Sequence, residues 1–160
     1  MNNVNSTTQT RDISVEEWRA LIAEGFDLPI RIQLRGHSMH PLIRYQKDYV
    51  TIQAVSRPLR KGDIVLFQRA DGPYVVHRIW KLKAQIITLG DNCSAPDAPI
   101  PPERVLGLVT YVHRKHHTIH VDTPIWRMLG RIWSALRPLR NIAHRLLGPV
   151  KRAAMRLLRR

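Results

Sequence analysis

The dipeptide Asp71-Gly72 stands between two apolar runs, Ile-Val-Leu-Phe at 64–67 and Tyr74–Leu82. An Asp-Gly turn flanked this way is a strong short-range signal for an antiparallel hairpin, because its left-handed backbone matches the twist of the paired strands. The run at 64–67 is apolar at every position, so this strand is expected to be buried on both faces. A hairpin with such a strand needs further segments to cover it, and the chain supplies them as short strands. Residues 28–34 alternate, with Leu28, Ile30, Ile32 and Leu34 on one side. Residues 48–55, 85–89, 105–112 and 118–121 read as further strands, with 57–62 as a turn and 90–102 as a loop rich in Pro, Ala, Asp and Asn. The expected architecture is a mainly β domain over 28–121, a coiled sheet or partly open barrel.

A lead segment, 1–27, precedes it. Residues 1–11 are polar and expected to be disordered. Ser14-Val-Glu-Glu17 fits a capping box, Trp18, Leu21 and Ile22 share one helical face, and Gly25 is a natural stop. Residues 122–160 differ in character: Thr123 can cap a helix, Pro124 suits its first turn, and apolar residues recur at spacings of three and four from Ile125 to Leu157. Pro138 and Gly148-Pro149 are expected to break that helix into pieces. Of the +14 net charge, residues 124–160 hold ten Lys/Arg and no Asp or Glu, which leaves +4 on the first 123 residues. Such a distribution points to an anionic partner. Three readings of the tail stay open: an amphipathic membrane-surface helix, a nucleic-acid arm, and a helix that simply packs on the β domain. The first places Trp126, Leu129, Ile132, Trp133 and Leu136 among lipid, with Arg127, Arg131, Arg137 and Arg140 at anionic head groups. A nucleic-acid arm leaves the regular apolar stripe unexplained. The sequence has no apolar run long enough to span a bilayer and no apolar leader at its start, so a cytoplasmic chain, peripheral at a membrane, is expected. The single cysteine, Cys93, excludes an internal disulfide and is read as incidental.

Candidate chemistry centres on Arg35-Gly36-His37-Ser38-Met39-His40-Pro41, a serine in a turn opened by glycine and stiffened by proline. A serine hydroxyl becomes a useful nucleophile when a base takes its proton and N–H groups stabilise the oxyanion. His77, inside the apolar strand Val75-Val76-His77-Arg78-Ile79, is a candidate base. His37 and His40 are alternatives, although His37 adjoins Ser38 and neighbouring side chains in extended backbone diverge. The group His113, His116, His117 and His120 has no diagnostic metal spacing and is read as a solvated basic hairpin, so neither metal nor cofactor is expected.

The blocks Gly36-x-Ser38-Met39-x-Pro41, Lys61-Gly62-Asp63-Ile64-Val65, Val76-His77-Arg78-Ile79, Gly90-Asp91-Asn92 and Val105-Leu106-Gly107 occur in the order found in the signal peptidase I family. The chain resembles that family, within the larger group it shares with self-cleaving repressors of the LexA type, over roughly residues 28–112. The resemblance implies a signal-peptidase/LexA-like coiled sheet and a serine endopeptidase. His77 stands where many members carry a lysine, as in the endoplasmic-reticulum-type and archaeal branch. By that resemblance Ser38 is the nucleophile, His77 the general base and Asp97 the residue that orients it. Asp91 is the competing partner, or a support for its loop. The Ser38 amide would donate to the oxyanion; the family's second donor position is here Gly36, which leaves that donor unidentified. Membrane-embedded members carry an apolar helix before the serine and none precedes Ser38, which points to a dedicated processing protease acting on the leader segment of a peptide or small protein. A self-cleaving regulator and a non-catalytic binding module of the same fold are the competing functions.

Overall fold

The computed structural model describes residues 13–70 and 72–140. Seven strands form one antiparallel sheet: β1 (Ile30–Ile32), β2 (Tyr49–Ala54), β3 (Ile64–Gln68), β4 (Tyr74–Leu82), β5 (Ile86–Leu89), β6 (Val105–Arg114) and β7 (His117–His120). Their order is β1-β2-β6-β3-β4-β5, with β7 also paired to β6. The sheet is led by helix α1 (Val15–Ala23) and followed by helix α2 (Pro124–Ala135). Each strand expected from the sequence is present, the first shorter than its alternation suggested and β6 longer by two residues.

The strand at the centre carries the reason for this arrangement. Ile64 and Leu66 belong to one buried cluster, with Trp18, Ile30, Met39, Ile52 and Val109. Val65 and Phe67 point the other way into a second cluster, with Ile79, Ile86, Ile100 and Leu108. Alternate side chains of a strand point to opposite faces, so β3 is buried twice. Register slips lie at Thr51/Ile52, Leu66/Phe67 and Ile79/Lys81. Such bulges increase local twist and let one sheet curl around two cores.

Helix α1 begins as its sequence signals. The Ser14 hydroxyl accepts from the Glu17 amide, and the Glu17 carboxylate accepts from the Ser14 amide. Trp18 is its one fully buried residue, and the indole N–H donates to the Leu28 carbonyl at 2.6 Å. Helix α2 has Thr123 as cap and Pro124 in its first turn, and it stops at Ala135, with Leu136 in a turn just before Pro138. The expectations for residues 1–11, for the break at Gly148-Pro149 and for the later apolar stripe lie outside the described residues. Among the described residues no helix is long and apolar enough to cross a membrane.

Candidate functional site

Three segments deliver the candidate site: the 36–43 turn between β1 and β2, strand β4, and the 90–97 loop that follows β5. Gly36 has φ +88°, a backbone conformation that an L side chain rarely adopts, and it reverses the chain ahead of Ser38. The turn is closed by hydrogen bonds from the His40 amide to the His37 carbonyl and from Ile43 to Met39. Met39 and Ile43 are buried beneath it, which anchors a loop whose outer face holds the half-buried Ser38. Met39 is thus a core anchor of the turn. The Ser38 amide N–H has no acceptor among the described residues.

His77 lies opposite Val65 in the β3–β4 register and is 4% exposed. Its Nδ1 is 2.6 Å from Asp97 Oδ2. The same carboxylate oxygen accepts from the Thr88 hydroxyl at 2.8 Å, and Oδ1 pairs with the Arg69 guanidinium at 2.6 Å. The Asp97 amide also donates to the Thr88 carbonyl, which ties the loop to β5. Burial raises the Asp97 pKa, but hydrogen bonds from His77, Thr88 and Arg69, with the His77 charge, outweigh it and hold the carboxyl down at about 2. A carboxylate on Nδ1 leaves Nε2 as the free ring nitrogen.

Gly90 closes the arrangement. A Cβ built on it would lie 2.8 Å from the Ser38 carbonyl oxygen and 2.9 Å from His77 Nε2. The serine backbone and the free imidazole nitrogen therefore flank one spot on this loop. Beside it the Asn92 amide donates to the Ser38 carbonyl at 2.7 Å. Ser38 Oγ and His77 Nε2 are not hydrogen-bonded in this structure; bonds of this kind are commonly long in a free enzyme and tighten on substrate.

Asp91 has a different role from Asp97. It is 3% exposed and takes a two-pronged bond from Arg78, Nε to Oδ1 and Nη2 to Oδ2, both at 2.8 Å. Arg78 Nη1 donates to the Gly62 carbonyl. Of the two aspartates left open by the sequence, Asp97 meets His77 and Asp91 supports the loop. Burial, then the Asp97 carboxylate, pushes the Cys93 thiol pKa up, which keeps it protonated and a poor nucleophile. His37 stacks edge-on against Tyr45, and His40 is exposed. His113 sits between Thr51 and Thr118, while His120 stacks on Tyr111.

The tail helix docks through the two tryptophans of the face expected to enter lipid, together with three of the four arginines expected at head groups, while Leu129, Ile132 and Leu136 of that face stay outward. Arg127 pairs with Asp122 at 2.9 Å and lies 3.6 Å from Asp63. Trp126 packs on the first core cluster. Trp133 and Arg140 donate to the Asp91 carbonyl, and Arg137 donates to the Ser94 carbonyl and lies over Trp80. Of the nine residues assigned to a membrane, Leu129, Arg131, Ile132 and Leu136 are exposed; the other five, Trp126, Arg127, Trp133, Arg137 and Arg140, are half-buried against the β domain. Arg127 adds a second cation to the Asp63 and Asp122 carboxylates, which Arg57 already pairs, and Trp133 and Arg140 supply donors to the Asp91 carbonyl. Turned outward are Ile125, Met128, Leu129, Ile132, Leu136 and Leu139, each 43% exposed or more.

Sequence reasoning did not find Thr88, Arg69 or the Arg78–Asp91 pair. Arg78 carried a usable signal: a cation between Val76 and Ile79 in a buried strand requires a buried anion. Thr88 and Arg69 carried none, because their role depends on where the 90–97 loop returns. Compared with known protein families and with curated proteins, the chain matches no family model and no curated relative.

Proposed function

We propose that the chain is a serine endopeptidase of the signal peptidase I type, with a signal-peptidase/LexA-like sheet, which cuts the leader segment of a peptide or small protein. The observation that carries this reading is the Asp97–His77 contact at 2.6 Å, whose free Nε2 shares the Gly90 spot with the Ser38 backbone. In this reading Ser38 Oγ attacks the scissile carbonyl carbon and His77 Nε2 takes the hydroxyl proton. The Ser38 amide, which has no other acceptor among the described residues, donates to the oxyanion. As the intermediate collapses, the C–N bond breaks and His77 returns the proton to the leaving amine. Water then attacks the acyl-enzyme by the same base, which restores Ser38. Asp97 holds the imidazole in the tautomer that leaves Nε2 free and stabilises its cation. The cycle requires His77 neutral at the start, so that Nε2 can take the serine proton.

The outward aliphatic row of α2 supports a second element of this reading: the protein sits peripherally on an anionic membrane surface, where leader segments are met. The net charge of +14 favours that surface over a neutral one.

The test is cleavage of leader-like peptides followed by mass spectrometry, with and without anionic vesicles, for the parent chain, Ser38→Ala and His77→Ala. Cuts lost in both variants support the reading. Cuts that persist in Ser38→Ala overturn it. A chain that cuts nothing yet binds peptide equally with and without the two side chains is a binding module. A chain that cuts only itself is a self-cleaving regulator.

A further inference from the structure

Helix α2 belongs to no part of the motif order that suggested a peptidase, yet it is built onto the candidate site. The Trp133 indole N–H donates to the Asp91 carbonyl at 2.9 Å, and Arg140 Nη2 donates to the same oxygen at 3.0 Å. The Arg140 guanidinium also stacks over the Trp133 ring, 4.0 Å from its centroid, so the two donors brace each other. One turn earlier the α2 backbone passes directly over the Arg78 guanidinium, and a Cβ on the buried Gly130 would collide with it. That guanidinium holds the Asp91 carboxylate. Asp91 is therefore gripped at its side chain from β4 and at its carbonyl from α2 and the segment just beyond it. Its two neighbours carry the site: Asn92 donates to the Ser38 carbonyl, and Gly90 lies against His77 Nε2.

We infer that α2 and the segment that follows it, 136–140, form a positioning strap: Trp133 and Arg140, through the Asp91 carbonyl, hold the 90–92 loop at the distance that keeps Ser38 and His77 in register. This inference rests on the peptidase reading for its consequence in chemistry, but not for the strap itself. Neither side chain reaches Ser38 or His77, so both are positioning residues. A peptide carbonyl has two lone pairs, and the two donors fill both. Loss of either leaves the loop free to rotate that carbonyl and, with it, the Asn92 amide.

The experiment uses the full chain with two separate variants. Trp133→Phe keeps an aromatic ring and removes the N–H. Arg140→Gln changes a half-buried side chain at the far end of the strap and keeps the fold intact if Trp133→Phe does not. Two readouts are taken. Amide hydrogen exchange follows the Asn92 N–H and its neighbours against β3 and β6. An alkyl fluorophosphonate follows Ser38: Oγ bonds to phosphorus, the P–F bond breaks, fluoride leaves and the hydroxyl proton passes to the base. The strap predicts exchange about tenfold faster at 90–93 in each folded variant, with β3 and β6 unchanged. It also predicts maximal labelling about tenfold slower at an unchanged half-saturating probe concentration, a split that a general loss of structure does not give. Unchanged exchange at 90–93, or acceleration spread equally over β3 and β6, overturns it. A parent chain that the probe does not label at Ser38 overturns the peptidase reading, and exchange alone then decides the strap.

Discussion

Gly90 lies against His77 so closely that a side chain on the glycine would stand 2.9 Å from the imidazole Nε2, and within 2.8 Å of the Ser38 carbonyl and 2.6 Å of Cys93 Sγ. The close approach exists because the backbone there has no Cβ. Gly90→Ala therefore has to move the loop, the imidazole or the serine turn. The backbone carbonyl is the partner least able to give way. Expected outcomes are a loss of about 1–3 kcal/mol in denaturant unfolding, as for other overpacked sites, and loss of fluorophosphonate labelling at Ser38. Cys93→Ser, which only relieves that spot, leaves labelling intact.

Asp97 and Asp91 separate by experiment as they do in space. In Asp97→Asn the side chain keeps its shape but loses the charge that orients His77, and peptide cleavage should fall by about a hundredfold to ten-thousandfold while the fold persists. The same variant tests the depressed pKa. Asp97 sits at about 2 in the folded chain, against about 3.9 unfolded. A carboxyl with a lowered folded pKa stabilises above its unfolded value, and that stabilisation is lost as pH falls through the folded value. The stability gap between the parent chain and Asp97→Asn should be constant above about pH 5 and close between about pH 4 and pH 2. A gap of full size at pH 2 would mean that the carboxylate is not held by these partners.

For Arg78 and Asp91 the expected phenotype is structural. Both are at most 4% exposed and bound two-pronged. Removing one partner leaves the other charge buried and uncompensated, which costs about 3–5 kcal/mol. Arg78→Ala should lower the thermal midpoint sharply and expose hydrophobic surface to dye, and Asp91→Ala should do the same. A double replacement by apolar residues of similar volume should recover most of that loss.

The sequence was legible where physics is local. The capping box at Ser14, the twice-buried strand at 64–67 and the Thr123-Pro124 helix start all follow from neighbours within a few residues, and each is present in the structure. Met39 illustrates the limit. Its position after Ser38 was read as part of a motif, whereas the structure gives it the separate task of anchoring the turn in the core. The least legible element was α2. Its apolar periodicity was clear, but the side chains that dock meet acceptors at Asp63 and Asp91, 64 and 42 residues before Arg127 and Trp133 in the chain. An amphipathic helix in isolation gives no hint that its cations face inward.

The outward row of α2 supplies the last prediction. Leu129 and Ile132 are 44% and 49% exposed, so replacing both with Asp removes little packing and should leave the thermal midpoint within about 0.5 kcal/mol of stability. On an anionic bilayer the same change withdraws two aliphatic side chains and adds two repelled charges. Each buried aliphatic is worth about 1.5–3 kcal/mol, so vesicle affinity in a flotation assay should fall by well over tenfold. Added salt should weaken the parent chain's binding by screening its cations but leave a residual apolar component. A marked fall in thermal midpoint instead would show that this row is covered by protein, either the chain's own residues beyond 140 or a second copy. Sedimentation of the parent chain then distinguishes those two, because only a second copy changes the molecular mass.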